Sequence, residues 1–137
     1  MAQGAGPRTL RLTELEKGST FTHIRNTKSA SQQSNLQGDV IAFTNPLANP
    51  AGKIVGTLHV SCTTTVGNRN FLKSILSCNA VFDLRDGTLT GQANTRPGVP
   101  TTTGAITGGT GSYANARGTF VSKEGAKGSV DTITLAD

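Results

Sequence analysis

The sequence predicts an all-β protein, a single closed barrel of eight antiparallel strands around an apolar lumen. Short runs of alternating apolar and polar residues recur along the chain, separated by residues that favour turns. No segment shows the period of an amphipathic helix. Closing such a sheet removes its unpaired edges, and about eight strands leave an interior that holds side chains or one small ligand.

Composition and charge limit the classes of function. The 137 residues suffice for one domain with a real core, and 17 glycines with no tryptophan suit short strands joined by turns. No run of apolar residues is long enough to cross a membrane. The net charge is +5, but the 13 Lys and Arg residues are scattered, which favours a solvated basic surface over a nucleic-acid groove.

The domain organisation is simple. Residues 1–8 are predicted to be a flexible N-terminal segment, and residues 9–137 the barrel domain. The segment has no apolar centre of the kind found in signal peptides. Whether Met1 replaces a removed export signal is left open.

The first two strands are predicted at 9–15 and 20–25. Leu10, Leu12 and Glu14 share one face of the first strand, because side chains alternate across a strand. An acid after two leucines has two interpretations. Glu14 is either a carboxylate inside the barrel, which needs hydrogen-bond donors or a cation, or it lies in water with Glu16 at the strand's mouth.

The third strand is predicted at 39–45, after an exposed polar loop at 26–37. Ile41, Phe43 and Asn45 share one face, and Val40 and Ala42 the other. Pro46 is expected to end the strand, because proline has no N–H to donate. Apolar residues on both faces indicate a core on one side and a neighbouring subunit on the other, so a homodimer or homotrimer is expected.

The two longest strands are predicted at 54–66 and 72–84, joined as a hairpin. The hairpin brings Cys62 and Cys78 near each other on one apolar face. Two interpretations stay open: a disulfide, which would favour an oxidising compartment outside the cytosol, or two buried free thiols in a cytoplasmic protein.

Further strands are predicted at 88–92, 101–107, 113–121 and 129–135. Four glycines between 104 and 111 join two of them. A phosphate-binding loop would need a lysine and a following helix, so a structural turn is favoured. His23 and His59 have no zinc-ligand spacing and are interpreted as ordinary sheet residues.

Four segments together resemble the allene oxide cyclase barrel family and its relatives, the dirigent proteins. They are TELEKGS at 13–19, GDVIAFTNPL at 38–47 with KIVG at 53–56, NAVFDL at 79–84 with DG at 86–87, and ITGGTG at 106–111 with ARG at 116–118. The resemblance covers about residues 9–135. It implies a barrel of calycin-like shape with a hydrophobic cavity, no cofactor, and often a trimer.

The resemblance also implies roles for individual residues. Glu14 is similar in place to a glutamate that stabilises developing positive charge, and Asn45 matches an asparagine that holds a water on the substrate oxygen. Glu16 stands where the cyclases have a second polar residue. The residues expected to bind substrate, from the resemblance and the interior pattern together, are Leu12, Glu16, Ile41, Phe43, Leu58, Val60, Cys62, Cys78 and Phe82.

Two classes of function therefore stand side by side. The first is a cofactor-free cyclase or isomerase, with Glu14 and Asn45 acting on a small hydrophobic molecule. The second is a dirigent-like module that binds such a molecule and controls its stereochemistry without a chemical step. The two differ in whether Glu14 and Asn45 both face the lumen.

Overall fold

Nine antiparallel strands form one sheet that closes into a barrel. The computed structural model describes residues 8–26 and 35–136. The strands are β1 (Arg8–Glu14), β2 (Thr20–Ile24), β3 (Val40–Ala48), β4 (Ile54–Val66), β5 (Ile75–Leu84), β6 (Gly87–Thr95), β7 (Thr101–Gly109), β8 (Arg117–Lys123) and β9 (Val130–Ala136). Single turns of 3₁₀ helix occur at Phe71–Lys73 and Gly111–Tyr113.

The barrel closes because β1 and β2 share one position beside β3. The order runs β1, β9, β8, β7, β6, β5, β4, β3, β2, and β1 also pairs with the end of β3. Glu14 lies opposite Leu47 there, while β2 pairs with the first half of β3. The nine strands therefore occupy eight positions, and the predicted closed eight-stranded barrel is confirmed.

Pro46 does not end the third strand, and the prediction that it would was wrong. Pro46 pairs with Thr57 of β4, and β3 runs on to Ala48. Its carbonyl accepts the Leu15 N–H at 2.9 Å, so this edge of Pro46 faces the break between β1 and β2. Because a residue's N–H and C=O point the same way in a strand, the missing donor falls where the ladder is already interrupted.

Further predicted boundaries need correction. The strand expected at 113–121 begins only at Arg117, because a 3₁₀ turn occupies Gly111–Tyr113. The strand expected at 72–84 begins at Ile75, because a 3₁₀ turn capped by the Asn70 side chain occupies Phe71–Lys73. Leu72, placed on the interior face, is instead 53% exposed. Most of the loop predicted at 26–37 lies outside the described residues, but Asn35 within it is fully buried.

The apolar core fills one end of the barrel. It contains Leu12, Leu47, Leu58, Ala80, Phe82, Leu89, Ile106, Tyr113, Phe120, Ile133 and Leu135. Gly104 helps to close it, since a Cβ there would collide with the Phe120 ring. The glycine-rich segment was predicted to be a turn between antiparallel strands, but Gly104, Gly108 and Gly109 lie within β7, and only Gly111, at φ +61°, lies in the connection to β8. A smaller cluster of Ile41, Cys62 and Leu76 lies toward the other end.

Buried polar groups fasten the segment before β3 to the barrel. The Asn35 amide donates to Ser74 Oγ at 2.8 Å and accepts from Thr64 Oγ1 at 3.1 Å. Asp39 accepts the Asn26 N–H at 2.6 Å and lies 3.0 Å from His23 Nε2. Burial raises the pKa of Asp39, but these hydrogen bonds outweigh it and hold the pKa below its ordinary value.

Cys62 and Cys78 form a disulfide between β4 and β5, with Cα atoms 4.0 Å apart. The disulfide interpretation is therefore the one that the structure supports; the compartment and the oligomeric state remain predictions. Hairpin parity places both residues on one face, as the sequence indicated, and the register shift between Thr64 and Val66 together with the 3₁₀ turn brings them directly opposite.

Removing this disulfide is expected to destabilise the barrel by about 3 kcal/mol, the chain-entropy value for a closed loop of this length. The measurement is urea unfolding of the parent and of the Cys62→Ser/Cys78→Ser double variant. Adding reductant should bring the parent to the variant's midpoint. Equal midpoints for the oxidised parent and the variant would show that the cross-link contributes nothing.

Candidate functional site

A cavity of about 300 Å³ opens at the barrel end opposite the main core. Its wall is mainly apolar and includes Ile41, Phe43, Leu58, Val60, Cys62, Leu76, Cys78, Ala80, Phe82, Ala93 and Phe120. Three polar residues of β1, β8 and β9 also line it, namely Glu14, Ser122 and Asp131. Few polar groups in an apolar wall are typical of small-molecule sites, and this volume lies at the small end of their range.

Glu14 faces the cavity and is held by donors on both oxygens. Asn45 Nδ2 donates to Oε1 at 2.7 Å, and Ser122 Oγ donates to Oε2 at 3.4 Å. Strand pairing explains the contact with Asn45, because Glu14 lies opposite Leu47 and Asn45 is two residues earlier on β3. Of the two interpretations, the carboxyl inside the barrel is the correct one.

Asp131 is the second acid of the cavity, and the sequence reasoning missed it. Its residue is 1% exposed, and neither carboxyl oxygen has a hydrogen-bond partner of ordinary geometry. Burial and, after it, the neighbouring Glu14 carboxyl raise the pKa of Asp131 to about 9, against the opposing effect of Ser122. Two adjacent carboxyl groups with one proton between them are the arrangement that this favours.

A signal for Asp131 was present in the sequence. Asp131, Ile133 and Leu135 share one face of the last strand, and the two apolar residues are buried. This is the pattern by which Leu10 and Leu12 pointed to Glu14. The alternation on the last strand therefore predicts a carboxyl inside the barrel at Asp131, as it does at Glu14 on the first strand.

The predicted site residues are mostly brought together. Glu14, Ile41, Phe43, Leu58, Val60, Cys62, Cys78 and Phe82 line the cavity. Asn45 reaches the site through its bond to Glu14. Leu12 is buried in the main core and does not line the cavity. Glu16 is exposed in the turn after β1, because β1 ends at Glu14 and its alternation no longer applies.

Aromatic rings and two charged residues surround the mouth. Phe21, which is 63% exposed, stacks on Phe43 with ring centroids 6.4 Å apart. Phe71 packs against the His23 ring at 5.6 Å. Arg96 and Glu124, both exposed, come from the segments after β6 and β8. Aromatic surface therefore borders the mouth of the cavity.

The fold and the site define a class: a small antiparallel β-barrel with an apolar cavity and paired acids at its wall. Among solved structures, a pyocyanin demethylase is similar, with 24% identity, a TM-score of 0.72, and coverage of 95% of this chain and 99% of that one. A pterocarpan synthase dirigent protein has 19% identity, a TM-score of 0.64, and coverage of 98% and 86%. A Diels-Alderase from Streptomyces koyangensis has 14% identity, a TM-score of 0.65, and coverage of 96% and 68%.

These likenesses show a fold shared with dirigent proteins and cyclase barrels; a specific relation to allene oxide cyclases remains a prediction. No family model and no curated protein matches the sequence.

Within residues 8–26 and 35–136, no group of three His, Cys, Asp or Glu side chains is placed to hold a metal ion. No helix in the same described residues is long and apolar enough to cross a membrane.

Proposed function

We propose that this protein is a cofactor-independent cyclase or isomerase that binds one small, mainly apolar molecule in the barrel cavity and directs its ring closure. The observation that carries the proposal is the Glu14 carboxyl, held by Asn45 at 2.7 Å inside a mainly apolar wall. The similar structures named as a Diels-Alderase and a dirigent protein support ring closure or stereocontrol as the kind of function.

The cavity contributes by restricting the substrate's conformations. Rings and branched side chains on several strands surround the ligand and hold a flexible chain in the folded form from which a ring closes. Holding reacting atoms in such a geometry supplies up to ~7–11 kcal/mol in favourable cases. The activation free energy of ring closure is then lower, partly because the substrate has already lost conformational entropy on binding.

Glu14 adds electrostatic stabilisation. Its carboxylate stabilises positive charge that develops on the substrate, or it accepts a proton. Asn45 fixes the carboxyl group through Nδ2, so its role is that of a positioning residue. Fixed groups of this kind do not have to reorganise during the reaction.

The test is turnover with a panel of candidate substrates: epoxides of fatty acids, linear polyenes, phenols and pyocyanin. Rates and enantiomeric ratios are measured by chiral chromatography for the parent and for two matched variants. Ala93→Leu narrows the cavity, because Ala93 lines its wall. Asp83→Asn removes the charge of an exposed acid on the outside of the barrel. Faster closure with one enantiomer in excess is expected for the parent and Asp83→Asn, and a loss of both for Ala93→Leu.

Other outcomes discriminate among the alternatives. An unchanged rate with a skewed enantiomeric ratio would support the binding and stereocontrol function instead. Demethylation of pyocyanin without ring closure of any other compound would replace the cyclase proposal. If Ala93→Leu closes the ring at the parent rate and with the parent enantiomeric ratio, the cavity is not the site.

A further inference from the structure

We propose that Asp131 and Glu14 work as an acid and base pair on a conjugated carbonyl compound that carries its own hydroxyl group. Asp131 donates a proton to the carbonyl oxygen, and Glu14 accepts one from the hydroxyl group. This inference rests on the proposed function and names the substrate class of the same cavity.

Unequal surroundings assign the two roles. Glu14 is half-buried, and its two oxygens accept hydrogen bonds from Asn45 and Ser122. Asp131 is 1% exposed and its oxygens receive no such bond, which favours its neutral form. Two neighbouring carboxyls whose environments differ in this way divide into a base and an acid.

The other charged groups near the pair do not reverse this assignment. Asp131 lies on β9 between Leu12 of β1 and Ser122 of β8, and neither neighbour carries a charge. Arg96 and Glu124 are the remaining ionisable residues among the described lining residues, and both are exposed at the mouth. A buried acid without a cation beside it retains its proton.

The reaction balances without a co-reactant. The substrate hydroxyl oxygen bonds to the carbon β to the carbonyl, and its proton passes to Glu14. The carbonyl oxygen takes the proton of Asp131, which gives an enol. The enol O–H then returns its proton to Asp131 while the proton on Glu14 moves to the α-carbon, so the product is a cyclic ketone isomeric with the substrate. General acid and base groups typically contribute ~10²–10⁴-fold each.

The first experiment tests the proton on Asp131 without any substrate. A carboxyl with a raised pKa binds its proton more tightly in the folded state, so its ionisation in the unfolded chain destabilises the fold as pH rises from about 4 toward the folded pKa. Asp131→Asn removes this loss and retains a donor to Glu14. We expect the variant's Tm to exceed the parent's at about pH 8, by about 5 °C or more, with a smaller gap at about pH 5.

Asp83→Asn is the matched control, because Asp83 is exposed on β5. The Tm of Asp83→Asn should equal that of the parent at both values of pH. Parallel curves for the parent and Asp131→Asn would overturn the assignment of the proton to Asp131, whatever the protein's substrate.

The second experiment measures binding of methyl naphthyl ketone against isopropenylnaphthalene, which replaces the carbonyl oxygen by a CH₂ group. One hydrogen bond from Asp131 should make the ketone bind about 3- to 10-fold more tightly. Asp131→Ala should abolish the preference, and Asp131→Asn should keep it. Equal binding of the two probes by the parent would overturn the proposed substrate class.

The final readout separates this inference from the proposed function. With any hydroxyl-bearing enone that the protein cyclises, Asp131→Asn should lower kcat by about 10²-fold or more while retaining ketone binding. If cyclisation proceeds at the parent rate in Asp131→Asn, the proposed function stands and the acid role of Asp131 is wrong. If no compound is cyclised but the two preceding results hold, the proposed function fails and the proton on Asp131 stands.

Discussion

Replacing Glu14 by glutamine is expected to lower kcat by about 10²-fold or more and to leave the barrel folded. Glutamine has the same length, and its Oε1 can still accept from Asn45 Nδ2, so the local geometry survives. What disappears is the negative charge and the ability to accept a proton. The loss should therefore appear in kcat rather than in KM.

Asn45→Ala gives the companion measurement. It removes the donor on Glu14 Oε1, so the carboxyl is no longer held in place, and turnover should again fall by about 10²-fold. Controls of the same chemistry are Asp83→Asn and Asn79→Ala, both on the outer face of β5. If Glu14→Gln and Asn45→Ala cyclise a confirmed substrate at the parent rate, the barrel acts by shape alone or at another site.

Phe82→Ala is expected to cost about 3–5 kcal/mol of unfolding free energy. Phe82 is 1% exposed and packs edge to face on Phe120, with ring centroids 5.9 Å apart. Its removal loses apolar burial and leaves a void, because surrounding strands held by their ladders collapse only in part. Urea unfolding monitored by circular dichroism gives the value.

The matched control is Phe21→Ala, which removes the same ring from a position that is 63% exposed. It should change stability by less than about 1 kcal/mol, as surface substitutions do. Equal losses for the two variants would mean that Phe82 does not stabilise the barrel through burial. Phe82 also lines the cavity, so its alanine variant should accept bulkier ligands.

Half of the candidate acid pair was predictable from local pattern. Glu14 follows Leu10 and Leu12 on one strand face, and Asn45 follows Ile41 and Phe43 on another, so each stands out as a polar group in an apolar row. Glu14 and Asn45 come together because β1 pairs with β3, and the sequence did not predict this pairing. Asp131 had the same local pattern, and its meaning emerged only when β9 paired with β1.

The errors have a common physical origin. Pro46 was expected to end β3 on its own chemistry, but its missing N–H faces a gap between two other strands. Asn35 was expected in water, but a strand pair and a 3₁₀ turn supply partners for its amide. Glu16 was expected to line the cavity, but it follows the residue at which β1 ends. For Pro46 and Asn35 the deciding neighbours are remote in sequence, whereas for Glu16 the end of β1 decides.

The sequence by itself determined most of the strands, most of the strand faces and the presence of Cys62 and Cys78 on one face of a hairpin, because alternation and hairpin parity are local properties of the chain. The tertiary structure alone decided how the barrel closes, that β1 and β2 share one position, and that Glu14 and Asp131 line the same cavity. The physical reason is that an acid's proton affinity depends on the dielectric and the charges around it. Those surroundings exist only after strands from the two ends of the chain have paired.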